Sequence, residues 1–171
     1  MRPIAPWDRF AEVQEQVLRG PGAFLVAVDE AGRPNAMTIG WLLLGTVWAR
    51  PVCEVLVRPS RYTHGCIARS GEFTVAVPLG TMGEELAFCG IRSGRDVDKF
   101  AALGLSTVPG KEVRVPILAD CALAYECRVI ARAELTLGAV LDEGIRSKYY
   151  GRGDLHTLFC GEVLAAWGLA G

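Results

Sequence analysis

The sequence carries almost no net charge, with 18 lysines and arginines against 19 aspartates and glutamates. No basic stripe runs along it. Both facts argue against nucleic acid or another polyanion as a partner. Of its six cysteines, at positions 53, 66, 89, 121, 127 and 160, none stands in a CxxC or CxxH pattern. That removes the usual zinc and dithiol spacings and predicts reduced, mostly buried thiols. His64 and Cys66 are close in sequence, but two ligands do not make a metal site. The N-terminus lacks the apolar run of a signal peptide. The longest apolar stretch, Ile39–Ala49, is too short to span a bilayer. The expectation is a cytoplasmic protein with no membrane contact. GxGxxG, P-loop and nucleophile-elbow patterns are all missing, as are internal repeats, low-complexity tracts and linkers.

What is present is a chain of 171 residues, 51% hydrophobic and 22% charged. That predicts one globular domain over residues 1–171. A helix is expected over Asp8–Leu18, where Phe10, Val13 and Val17 fall at helical spacing before Gly20-Pro21-Gly22. Ala23–Val28 is a continuous apolar strand. A turn at Asp29–Pro34 leads into a second strand, Asn35–Trp41, which holds the only asparagine of the chain. Gly40 inside that strand marks either a bulge or a close approach to the backbone. Further strands are expected at 42–48, 52–57, 72–77, 119–134 and 155–167, with short helices at 66–69, 84–89 and 140–150. Asp96 is the expected cap of another short helix that runs through Ala102. Residues 105–116 read as irregular. Regular βαβ alternation is missing, so a Rossmann sheet does not fit. A mainly β, antiparallel Greek-key-type barrel with peripheral helices does. The long 119–134 strand predicts that it crosses the barrel or a subunit interface.

The chain is organised around Arg58-Pro59-Ser60-Arg61-Tyr62-Thr63-His64-Gly65, where a strand turns into a helix that stops at Gly71. Free N–H groups at a helix start, with arginine forks beside them, suit a phosphate monoester. Ser60 is the expected N-cap, and Pro59 keeps Arg58 extended. An ordinary capped helix with two solvated arginines fits the same residues.

Several segments together resemble the flavin reductase-like family, with the flavoredoxin-like branch nearest. They are Asn35–Trp41, Arg58–Thr63, Ser70–Val75, Phe88–Gly90, Ser93–Phe100 and Gly161–Val163. The resemblance implies an FMN-binding split barrel, a homodimer with the flavin near the subunit interface, and NAD(P)H as transient electron donor. It implies that Asn35, Met37, Thr38, Ile39, Gly40 and Trp41 lie along the isoalloxazine ring. Arg58, Ser60, Arg61, Tyr62 and Thr63 are then expected to bind the ribityl chain and phosphate. Ser93, Gly94, Lys99 and Phe100 are expected to close over the flavin. Lys99 and His156 are expected near the reacting face as electrostatic helpers. The family's Gly-Asp-His motif reads here Gly153-Asp154-Leu155-His156, with a leucine inserted. The sequence ends at Ala170-Gly171, so family contacts past the last strand are expected to be missing. The implied function is an oxidoreductase passing electrons from NAD(P)H through FMN to a flavin or protein acceptor. The alternatives are a flavoredoxin-like electron carrier without significant NAD(P)H turnover, and a non-catalytic flavin-binding module.

Overall fold

The computed structural model describes residues 1–169; Ala170 and Gly171, on which the expectation about the chain end falls, lie outside the described residues. In chain order the elements are β1 (Arg2–Ile4), α1 (Phe10–Leu18), β2 (Ala23–Val28), β3 (Pro34–Ile39), β4 (Leu42–Val47) and β5 (Arg50–Val57). Next come α2 (Tyr62–Ser70), β6 (Glu72–Val77), α3 (Gly83–Ile91), α4 (Lys99–Leu103), β7 (Thr107–Val108) and β8 (Ile117–Leu118). The chain finishes with β9 (Leu123–Glu134), a 3-10 turn at Leu137–Ala139, α5 (Glu143–Tyr150) and β10 (Thr157–Gly168).

One antiparallel sheet runs in the order β3-β2-β6-β9-β10-β5-β4, with β1 added on β10. Its two end strands, β3 and β4, are consecutive in sequence and joined by only Gly40 and Trp41. The sheet therefore curls until its ends come within a three-residue reach, yet β3 and β4 are not paired. The result is a barrel with a seam, and Trp41 stands at the seam. After β2–β5 follow one another around the barrel, α2 carries the chain back so that β6 lies beside β2, a Greek-key return.

The continuous apolar run of β2 has a direct cause. Side chains alternate across a strand. Ala23, Leu25 and Ala27 join the barrel interior with Val55, Phe73, Tyr125 and Phe159. Phe24, Val26 and Val28 face outward into a second apolar cluster with Leu86, Cys89 and Leu118, covered by α3 and α4. Both faces are buried, so no polar alternation is tolerated. All six cysteines are buried. Among the described residues, no helix is long and apolar enough to cross a membrane.

Several local expectations change. Helix α2 begins at Tyr62, earlier than expected, and the residue before it is an extended Arg61 with no side-chain cap; Ser60 is one residue too early to cap it. Gly71 ends α2 in the left-handed conformation, as a glycine can without strain. Asp98, not Asp96, caps α4 by accepting from the Ala101 N–H. β3 stops at Ile39, so Gly40 and Trp41 are linker rather than strand. Residues Thr107–Val108 form a two-residue strand inside the segment read as irregular. The first half of β9 pairs with β6 and β10, but residues 131–134 pair with β10 alone.

Candidate functional site

Two neighbouring cavities open where the seam meets the start of α2. The first, about 160 Å³, lies at the mouth of α2 between Asn35, Tyr62 and Thr63 on one side and the Cys89–Arg95 segment on the other. Arg61, Arg92, Arg95 and Lys99 line it, and among the described residues no carboxylate does. The N–H groups of Tyr62 and Thr63 head the helix, where no intrahelical acceptor exists. The Arg61 guanidinium has no hydrogen-bond or ion-pair partner among the described residues. Arg95 donates to the Ser60 carbonyl at 3.1 Å and sits over the Tyr62 ring.

The mouth is fixed from below. Buried Asn35 donates its amide to Thr63 Oγ1 at 2.8 Å. Gly94 has to be glycine: a Cβ there would lie 2.0 Å from Asn35 Oδ1 and 2.8 Å from the Tyr62 ring. Lys99 is only 3% exposed; its Nζ donates to Ala36 O at 2.7 Å and Cys89 O at 2.9 Å, tying β3 to α3. Burial above all lowers its pKa, although Cys89 opposes that shift.

The second cavity, about 240 Å³, lies along the seam and is walled by Met37, Ile39, Gly40, Trp41, Tyr149 and His156, with Thr38, Leu56, Arg58 and Arg61 completing it. It shares Met37 and Arg61 with the first. A Cβ on Gly40 would stand in open space, so the bare backbone leaves room at this wall. Trp41 packs edge-on against Tyr149 at 5.1 Å and tilts against His156 at 4.7 Å. His156 is buried and its Nδ1 pairs with Tyr150 Oη at 3.0 Å. Burial, reinforced by Arg58, pulls its pKa down to about 4. The imidazole is therefore neutral at pH 7, and Nε2 is its remaining polar atom.

The residues expected from sequence divide into three groups. Asn35, Met37, Ser60, Arg61, Tyr62, Thr63, Ser93, Gly94 and Lys99 gather at the helix mouth. Met37, Thr38, Ile39, Gly40, Trp41, Arg58 and His156 gather at the seam. Phe100 joins neither, and packs against the second apolar cluster. Lys99 and His156 line different cavities. Arg58 is not a free fork: it donates to Tyr149 O at 2.7 Å and to the Asp154 carbonyl. Ser60 is engaged too, its N–H and Oγ both given to the Asp154 carboxylate at 3.2 and 2.6 Å. The Gly153–His156 segment thus acts as a clasp on the Arg58–Ser60 turn, and the inserted Leu155 does not prevent His156 from reaching the seam. Sequence reading missed Arg92, Arg95, Tyr149 and Tyr150. The two arginines flank the Ser93-Gly94 pair, a signal that was available; the tyrosines sit in a helix whose packing no local pattern reveals.

The residues fit FMN. A doubly charged phosphate needs unpaired donors and cations, which the helix mouth supplies. A flat ring needs apolar walls, and Met37, Ile39, Trp41 and Leu56 supply them at the seam. Two linked cavities of this size fall in the range of small-molecule sites, roughly 300–1,000 Å³.

Comparison with known proteins agrees with this geometry. Residues 20–170 match the family described as flavin reductase like domain. An uncharacterized protein of Archaeoglobus fulgidus is 34% identical over 137 residues, covering 80% of this chain and 67% of that one. Flavoredoxin of Desulfovibrio vulgaris superposes with a TM-score of 0.70 at 28% identity, covering 86% of this chain and 68% of that chain. An FMN-binding protein from Thermus thermophilus gives a TM-score of 0.63 at 28% identity, covering 85% and 68%. The chain belongs to the flavin reductase-like family, on its flavoredoxin-like branch, and its seamed barrel is that family's FMN-binding split-barrel fold.

Proposed function

We infer that this chain binds FMN and works as an oxidoreductase of the flavin reductase type, with NADH or NADPH as electron donor. The observation that carries the reading is the joining, through Arg61 and Met37, of a carboxylate-free cationic mouth to an aromatic slot. FMN, when bound, would supply the redox chemistry, linking two-electron oxidation of a nicotinamide to reduction of a free flavin or a protein acceptor.

The chain's own residues bind and orient. Arg61, the N–H groups of Tyr62 and Thr63, Arg92 and Arg95 hold the phosphate. Asn35 and Gly94 set the spacing of that mouth. Ser60 and Arg58 act through the 153–156 clasp rather than by touching phosphate. Met37 to Trp41 line the ring. His156, kept neutral and held by Tyr150, offers a hydrogen bond without adding charge beside the ring. Lys99 places its positive charge under the mouth and holds β3 against α3.

A flavoredoxin-like role, carrying electrons without NAD(P)H turnover, is the second reading, favoured by the 28% identity to flavoredoxin. Two observations support a homodimer. Residues 131–134 of β9 leave one edge unpaired. Leu137, Leu141 and Ile145, which follow it in sequence, are exposed. The buried thiols suit a reducing, cytoplasmic setting.

The absorbance spectrum of the purified protein tests cofactor binding: flavin bands are expected, and a colourless protein that takes up no FMN contradicts the reading. Bleaching of the FMN-loaded protein by NADH or NADPH separates the first role from the second. Photoreduced protein that passes electrons to a partner, without bleaching by nicotinamide, identifies the carrier. Failure in both assays leaves a non-catalytic flavin-binding module.

A further inference from the structure

Arg61 borders a third cavity, of about 500 Å³, closed on its other side by the end of α5 and the turn that follows. Arg58, Arg61, Lys148 and Arg152 line it, against a single carboxylate, Asp154. Two of these five charges are already engaged. The Asp154 carboxylate accepts from Ser60 N and Oγ. Arg58 donates to Tyr149 O and the Asp154 carbonyl. The bond to Tyr149 O also covers a carbonyl at the C-terminal end of α5, where the helix's own partial negative charge would oppose an anion. The guanidinium of Arg61, the Lys148 ammonium and the Arg152 guanidinium have no hydrogen-bond or ion-pair partner among the described residues. With Arg61 given to the flavin phosphate at the helix mouth, the cations left to this cavity are Lys148, whose ammonium lies 5.1 Å from the centre of the Tyr149 ring, and Arg152. The cavity shares Arg58, Arg61 and Tyr149 with the seam cavity.

We propose that this cavity is a second anion site, taking the pyrophosphate of a nicotinamide dinucleotide whose nicotinamide enters the seam beside Trp41. The proposal rests on the reading that the helix mouth is filled by the flavin phosphate. A reaction between FMN and a dinucleotide brings two phosphate-bearing ligands to one seam. The helix mouth serves one of them. The sheet has no dinucleotide fold to hold the other. A solvent-open site of exposed cations suits a ligand that arrives and leaves on each turnover, because such charges steer approach more than they prolong residence.

The test is calorimetric titration of the FMN-loaded protein with NAD⁺, NADP⁺ and inorganic pyrophosphate. Wild type is compared with the double variant Lys148→Ala/Arg152→Ala and with the charge-keeping Lys148→Arg/Arg152→Lys. Both side chains are on the exposed surface, so folding is expected to survive, and a thermal melt checks it. The alanine variant is expected to lose about tenfold in affinity for the dinucleotides, as two exposed charge contacts imply, with FMN affinity unchanged. The charge-keeping variant is expected to stay near wild type. In turnover, KM for the nicotinamide rises while kcat holds. Unchanged dinucleotide affinity in the alanine variant overturns the proposal. So does an equal loss of FMN affinity, which would assign the cavity to the flavin phosphate. So does a wild type that binds pyrophosphate but neither dinucleotide, which would make it a free-anion site only. Dinucleotide binding that depends on these cations without bleaching of FMN leaves the site standing and removes only the donor role.

Discussion

The two halves of the site are built on opposite principles. At the helix mouth, polar groups are left open: the Tyr62 and Thr63 N–H groups and the Arg61 fork have no partners among the described residues. At the seam, several polar groups are already used: His156 Nδ1 by Tyr150, Arg58 by carbonyls, and the aromatic faces by one another. Unpartnered helix-start amides beside free cations favour a bound anion, so the mouth is shaped for one. A satisfied slot discriminates by shape and polarity, so the seam is shaped for a flat ring. Electrostatics selects at one end, and fit at the other.

The sharpest way to break this contrast is Arg61→Ala. Charge-assisted hydrogen bonds are worth about 1.5–3 kcal/mol, so FMN affinity is expected to fall by about 10- to 100-fold while riboflavin is nearly unaffected. Equal losses for the two flavins would remove the phosphate assignment. Arg58→Ala gives the opposite pattern. It frees backbone carbonyls at the clasp, so stability drops by about 1–3 kcal/mol while the ratio of FMN to riboflavin affinity holds; denaturant melts and paired titrations check both.

A pH titration probes the seam. Folded His156 protonates only near pH 4, whereas an unfolded histidine protonates near pH 6.5. Between those values the unfolded chain binds the extra proton, so stability falls as pH drops. The expected loss is on the order of 2 kcal/mol across that window, and His156→Gln should flatten this part of the curve. Trp41→Ala should weaken FMN and riboflavin alike, by about tenfold from lost ring contact. A selective loss of FMN alone would misplace the ring. The smallest effect is expected from Ser60→Ala, about 1 kcal/mol of stability from one lost hydrogen bond, visible in melts and absent from flavin selectivity.

Much of the fold was legible because it rests on local rules. The apolar run Ala23–Val28, the turn before Asn35 and the stop at Gly71 each follow from strand alternation or backbone freedom. The strand-to-helix turn at Arg58–Thr63 was readable for the same reason. What was not readable depends on contacts between distant segments. Ser60 looked like a cap because capping residues are recognised by position, and a carboxylate 94 residues away claims it instead. Arg58 looked like a phosphate fork because nothing local hints at carbonyls from the end of α5. Asp98 rather than Asp96 caps α4 because the helix starts at Lys99, two residues later than a cap at Asp96 implies. Phe100 follows Lys99 directly, yet it turns outward into the second apolar cluster, since adjacent helical residues do not share a face.

The most direct test of the account is a crystal structure of the protein soaked with FMN. The predicted result is phosphate density against the Tyr62 and Thr63 N–H groups beside the Arg61 guanidinium, with the ring along Met37–Trp41. A phosphate lodged between Lys148 and Arg152, or a ring outside the seam, would contradict it.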